Sequence, residues 1–291
     1  MLFNFVSLAL LADGLLHKPV LSTTLSSLQD STIKVVLSAP AVDHSGQGAK
    51  NQTPTVLQTP CQFNTCPKGS PAEGSDPTPR LNYVNGFGPD AMKFGIQTLS
   101  PEFLGGPPDI AISGPSVGGS ASLHAFIYVH YQQHFPNCCH GGRARYPRGH
   151  VLRRPSFHLL RLVHHARYEP QLHRHQSILL YVDLVTKFTG ALWNSGAPFL
   201  DPDVVLAVNF PAIAGSATVD DVTFVMAKMA THNITTIEIC GREQLPLVDE
   251  VMMTKGCFAS VTALNGRAFN DLSAEHEQRV FDRIGTLIGC L

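Results

Sequence analysis

Apolar positions along the chain fall into short runs with helix or strand spacing, separated by stretches rich in proline, glycine and serine. Met92, Ile96 and Leu99 recur at i, i+4 and i+7 and predict one buried helical face. Gly88 can cap that helix, Pro89 suits its first turn, and Asp90 places a negative charge at the positive end of the dipole. Ala91 and Gly95 beside the face allow close approach to a sheet, and Ser100-Pro101 is expected to stop the helix. Lys34 to Ala39, rich in valine, predicts a strand. Ile110-Ala-Ile112 predicts a second, short strand buried on both faces. It opens into Ser113-Gly-Pro-Ser-Val-Gly-Gly119, a loop at the carboxyl end of a strand, the edge where ligands bind in open α/β sheets.

Further along, Asp183 to Leu192 reads as a helix and Val204 to Val208 as a buried strand leading into Asn-Phe-Pro211. Alternating, β-branched runs between Asp220 and Leu264 suit strands or a hairpin. Ser273 is placed to cap a final helix whose Val280, Ile284 and Leu287 form one face. Thr23 to Gln29 carries a helical pattern, and residues 50–80 read as a polar surface excursion. Residues 1–14 admit two readings: the apolar core of a secretory signal, or a first strand ending in Asp13-Gly14.

Composition narrows the class. The 291 residues hold 44% hydrophobic and 15% charged positions, enough for a substantial core in one large or two ordinary domains. A formal net charge of -1 gives no case for a nucleic-acid polymer or an acidic membrane surface. No run approaches the roughly 18 apolar residues of a membrane span. Ten of the fourteen histidines lie between residues 121 and 180, five of them in His-His, His-Arg-His and Cys-Cys-His groupings that fit no standard zinc spacing. The cysteine count is seven. Cys61 with Cys66, and Cys240 with Cys257, are spaced either as short-loop disulfides of an oxidising compartment or as reduced thiols.

Lys34-Val-Val-Leu-Ser-Ala-Pro40, Asn85-Gly-Phe-Gly-Pro-Asp-Ala-Met-Lys-Phe-Gly95 and Pro108-Asp-Ile-Ala-Ile-Ser-Gly-Pro115, in this order, resemble the SurE family of metal-dependent phosphatases and 5'-nucleotidases, most nearly its fungal, acid-phosphatase-like branch. The resemblance covers roughly residues 34–119 and 182–265. It implies an α/β fold: a three-layer α/β/α sandwich with a mainly parallel, Rossmann-like sheet and a C-terminal hairpin extension that suggests a homodimer. It also implies a divalent cation, Mg²⁺ or Mn²⁺, and a small phosphomonoester or nucleotide substrate. On this chain the metal positions fall at Asp13, Ser45 and Ser116, and the substrate-binding positions at Asn85, Gly86, Ser113 and Gly114. Two positions depart from the family pattern: Ala12 stands where the family has a first carboxylate, and Ser116 where it has an asparagine. Fewer strong ligands imply weak metal binding and impaired catalysis, so an inactive SurE-like protein or a defective gene model stands as the alternative.

The resemblance also favours the two disulfides, and with them a secreted or secretory-pathway protein. The chain is cytoplasmic if residues 1–14 form the first strand instead. Between residues 121 and 178 the resemblance stops. A one-nucleotide shift of permitted codons turns Asn137-Cys-Cys-His-Gly-Gly-Arg-Ala144 into Thr-Val-Ala-Thr-Gly-Gly-Ala, close to the family's segment at this place. The expectation is a single domain, 1–291, in which 121–178 is a frame-shifted or mis-spliced segment forming no compact layer.

Overall fold

The structure is a computed structural model. It describes residues 34–42, 44, 47, 50–75, 81–112, 171–211, 217–229, 236–266, 268 and 270–291, with the backbone alone at 63 and 171–178. These residues form two compact units, one of 34–112 with 181–187, the other of 171–180 with 188–291. Both are mixed α/β.

The first unit is built on β1 (Leu37–Pro40), β2 (Glu73–Ser75) and β3 (Leu81–Val84), in the order β1-β3-β2. β1 runs parallel to β3 in the register Leu37↔Leu81 to Pro40↔Val84, and β2 pairs antiparallel to β3. The predicted strand at Lys34–Ala39 is thus present, shifted by a few residues, and its Val35 and Val36 are buried. Central β3 carries a buried Asn82, whose Nδ2 donates to Leu37 O at 3.0 Å. That bond satisfies a polar group that would otherwise destabilise the core. The 50–75 excursion closes on the Cys61–Cys66 disulfide, as expected, and packs Leu57 and both cysteines against Ala41 and Tyr83.

The helix predicted after Gly88 forms, but Ser100-Pro101 does not stop it. α1 (Gly88–Phe94) widens into a π-turn (Gly95–Leu99) and continues as α2 (Ser100–Leu104). Proline has no N–H and crowds the carbonyl four residues back. The wider turn relieves that conflict, and the Ser100 N–H and Oγ both donate to Gly95 O. Gly105, at φ 89°, then ends the helix with its N–H on Pro101 O. Ile110-Ala-Ile112 is not the buried strand expected. Only Ala111 makes a bridge, and it is exposed between half-buried isoleucines. Pro107 and Pro108 remove two N–H donors just ahead of it.

In the second unit the order is β4-β6-β5, from β4 (Val204–Asn209), β5 (Thr223–Ala227) and β6 (Phe258–Asn265). β5 is parallel and β4 antiparallel to β6. β6 is central and buried from Ala259 to Leu264, whereas β4 is a half-buried edge rather than the buried strand predicted. Across the described sheets, parallel pairing is confined to β1–β3 and β5–β6. α3 (Gln171–Asn194) begins well before the expected Asp183, inside the 121–178 segment where the resemblance stops. Residues 121–170 of that segment, like 1–14 and Thr23–Gln29, lie outside the described residues.

α4 (Val248–Met253) links β5 to β6, and α5 (Ala274–Ile284) starts after Ser273 as predicted. Ser273 gives α5 no side-chain cap; its Oγ lies 2.8 Å from His276 Nδ1. The buried face of α5 is Glu277, Val280 and Ile284, and Leu287 falls beyond its end. No helix among the described residues is long and apolar enough to cross a membrane.

The second disulfide corrects the pairing. Cys240 joins Cys290, not Cys257, with Cα atoms 5.7 Å apart. Alternate residues of β5 bond to opposite sides. Thr223 N–H donates to Cys257 O on the β6 side, while Phe224 O accepts Gly289 N–H on the other. Ile288 bridges Phe224 in parallel. The chain terminus therefore lies along the free edge of β5 and brings Cys290 to Cys240, with β5 standing between it and Cys257.

Candidate functional site

Of the predicted site residues, Asn85 and Gly86 are described; Asp13, Ser45, Ser113, Gly114 and Ser116 lie outside the described residues. Because β1 and β3 are parallel and in register to Pro40↔Val84, the loop toward position 45 and the Asn85-Gly86 turn leave the same carboxyl edge side by side. Ala41 N–H donates to Val84 O at 2.8 Å and carries the pairing one step past the strands.

Asn85 is a fastener. Its N–H donates to Ala72 O at 2.8 Å and its Nδ2 to Thr55 O at 2.7 Å, while its carbonyl accepts Gln52 Nε2 at 3.2 Å. The side-chain amide nitrogen is engaged with the 50–56 loop, so the free capacity of Asn85 toward a ligand is that of its Oδ1 acceptor. Gly86 is buried, and a Cβ on it would lie 2.8 Å from Asp90 Oδ2. The glycine is required by the closeness of that carboxylate. Asp90 Oδ2 accepts the N–H of Phe87 at 2.8 Å and of Gln52 at 3.0 Å. The His44 ring packs against Phe87, tilted by 45°, with centroids 4.4 Å apart. Ser38, fully buried in β1, donates to Ala91 O at 2.7 Å and holds α1 to the strand pair. Sequence reasoning assigned Asp90 to the helix dipole and missed its bond to the distant loop; Gln52 carried no signal.

A second polar cluster, absent from the sequence reading, lies at the carboxyl end of β5. Lys228, Asp271 and Glu277 are all buried. Lys228 Nζ donates to Gln244 Oε1 at 2.6 Å, Asp271 Oδ1 accepts Met229 N–H at 2.7 Å, and Glu277 Oε2 accepts Ile237 N–H at 3.2 Å. Burial pushes the Glu277 carboxyl up to about 7. The Ile237 N–H opposes the rise, neighbouring Asp271 adds to it, and Lys228 reduces it. A groove of about 280 Å³ between Phe199 and Arg283 is no better as a site. Its Arg279 pairs with Asp201 and Glu275, and its Arg283 donates to Ser195 O and Gly196 O. Among the described residues no group of three or more histidine, cysteine or acidic side chains is placed to hold a metal.

The first unit is thus an α/β unit whose loops gather at the carboxyl edge of a parallel strand pair, the usual position of a small-ligand site in such sheets. Residues 12–128 match the family model described as survival protein SurE, so this part of the chain is similar to that family. The family is one of metal-dependent phosphatases and nucleotidases. No curated protein matches the chain.

Proposed function

We propose that the chain is a phosphomonoesterase of the acid-phosphatase or 5'-nucleotidase type, dependent on Mg²⁺ or Mn²⁺ and impaired by two changes at its metal site. The observation that carries the reading is the family match itself. Its range, residues 12–128, includes Asp13, Ser45, Asn85, Gly86, Ser113, Gly114 and Ser116. The metal set on this reading is Asp13, Ser45 and Ser116, all oxygen donors, as a hard divalent cation prefers. Such an ion, when bound, polarises a phosphoryl oxygen and lowers the pKa of its water. A single carboxylate with two neutral hydroxyls balances its charge poorly, so the donor set suits the kind of ion but predicts weak binding. Asn85, Gly86, Ser113 and Gly114 make the substrate side of the site, for a small phosphomonoester or nucleotide.

The same reading carries the fungal acid-phosphatase-like branch, a three-layer sandwich with a mainly parallel sheet, and a single domain interrupted by an aberrant 121–178. It also carries a C-terminal hairpin extension, assembly as a homodimer, and passage through the secretory pathway; the Cys61–Cys66 and Cys240–Cys290 disulfides support the last. One observation favours a second reading, an inactive SurE-like protein: Ala12 occupies the position of the first carboxylate. Hydrolysis of an aryl phosphate, measured with Mn²⁺ and again with excess chelator, separates the two. Slow turnover abolished by chelator supports the enzyme, and turnover no faster than buffer supports the inactive protein.

A further inference from the structure

We propose that Asp90 is a positioning residue, one carboxylate oxygen of which fastens the 50–56 loop to the Asn85–Phe87 turn and so shapes the candidate phosphoester site. The inference rests on the phosphomonoesterase reading above. An acid at the start of a helix needs only its bond to the first turn, here Phe87 N–H to Asp90 Oδ2 at 2.8 Å. The bond from Gln52 N–H to the same oxygen, at 3.0 Å, is additional and comes from 38 positions away. Gln52 returns the tie through Nε2 to Asn85 O, and Asn85 adds Nδ2 to Thr55 O. Two of these three cross-links involve neutral groups. The Asp90 link has a charged acceptor, which makes it the strongest kind available here.

Phe87, which Asp90 orients, also makes a tilted ring contact with His44, so the loop that follows β1 touches the same residue. Gly86 has room for no side chain beneath that carboxylate. One oxygen therefore joins the 50–56 loop to the Asn85–Phe87 turn, and the Phe87 ring adds a contact with His44. Fixing site loops in place favours binding in the productive geometry, because a small misplacement of a positioning loop weakens substrate capture.

The test uses the full chain and the variants Asp90→Ala, Asp90→Asn and Gln52→Pro. Amide hydrogen exchange is followed in peptides covering 50–56 and 85–88, alongside steady-state hydrolysis of an aryl phosphate with Mn²⁺. Asp90→Ala is expected to raise exchange in both peptides roughly tenfold, the effect of losing about one hydrogen bond's stabilisation. It is also expected to raise KM more than it lowers kcat. Asp90→Asn keeps an oxygen for both N–H groups but loses the charge, and should bring protection and KM only part of the way back to the parent values. Gln52→Pro removes both donors of residue 52, its N–H to Asp90 and its Nε2 to Asn85 O, and leaves the Asp90 bond to Phe87 in place. It should raise KM while the 85–88 peptide stays protected, and it keeps the proposal testable if Asp90→Ala fails to fold. Unchanged exchange at 50–56 in Asp90→Ala, or a parent-like KM in Gln52→Pro, overturns the proposal. If the parent hydrolyses nothing, the phosphomonoesterase reading falls and the catalytic use of Asp90 with it, while exchange still decides the fastening.

Discussion

Glu277 accepts the N–H of Ile237 at 3.2 Å from the core-facing side of α5, where the helix otherwise presents Val280 and Ile284. Burial holds its proton to about pH 7, against an ordinary value of 4.5. The folded chain therefore binds this proton more tightly than the unfolded chain. The resulting stabilisation is complete below the unfolded pKa and is lost as pH rises through the folded one. Denaturant titrations should show stability falling by up to about 3 kcal/mol between pH 5 and 8. Glu277→Gln keeps an acceptor for Ile237 and has no charge to bury, so it should flatten that dependence. An unaltered slope in Glu277→Gln would place the titration elsewhere.

Ile284 is fully buried at the end of α5, while Leu287 lies past the helix and is half-buried. Ile284→Ala should cost about 2–5 kcal/mol through lost transfer energy and an unfilled cavity. Leu287→Ala should cost less than half as much. Equal losses by chemical denaturation would mean that the face runs through Leu287, as the sequence pattern alone suggested.

Peptide mapping without reductant should recover Cys61 linked to Cys66 and Cys240 linked to Cys290, the latter closing a separation of 50 residues. Removing the long-range link with Cys290→Ser should lower stability by about 2–4 kcal/mol, since the unfolded chain regains its loop entropy. Recovery of a Cys240–Cys257 peptide would contradict the course of the chain terminus along β5.

What the sequence showed and hid follows from the range of the interactions. The helix after Gly88 and the strand near Lys34–Ala39 were legible from local periodicity. The helix buries Ala91, Gly95 and Leu99, however, and Met92 and Ile96 of the expected face are half-buried because the π-turn shifts the register. Pro101 misled, since its usual effect is local and here a π-turn absorbs it. β2 escaped notice because Glu73-Gly-Ser75 has no apolar alternation and owes its pairing to β3. Cys290 was overlooked because its proximity to Cys240 is made by a parallel bridge between Ile288 and Phe224, which no spacing in the chain reveals. At the candidate site, the positions of Asn85 and Gly86 came from motif resemblance. Their bonds to Thr55 and their crowding by Asp90 required the folded loops. Glu277 was readable in principle: a charged residue three positions before Val280 on an apolar face signals a buried titrating group.

The proposal that residues 12–128, which match the SurE family model, hold an eroded metal site is tested most directly by calorimetric titration with Mn²⁺. The parent chain is compared with the double variant Ala12→Asp, Ser116→Asn, with aryl-phosphate hydrolysis measured alongside. Restoring one carboxylate and one amide carbonyl should tighten Mn²⁺ binding by roughly tenfold or more, the scale of a single charge-assisted contact. Hydrolysis need not rise to the same degree, because the chain just beyond residue 128 lies outside the family match. A double variant that binds Mn²⁺ no more tightly than the parent would contradict the placement of the metal at Asp13, Ser45 and Ser116.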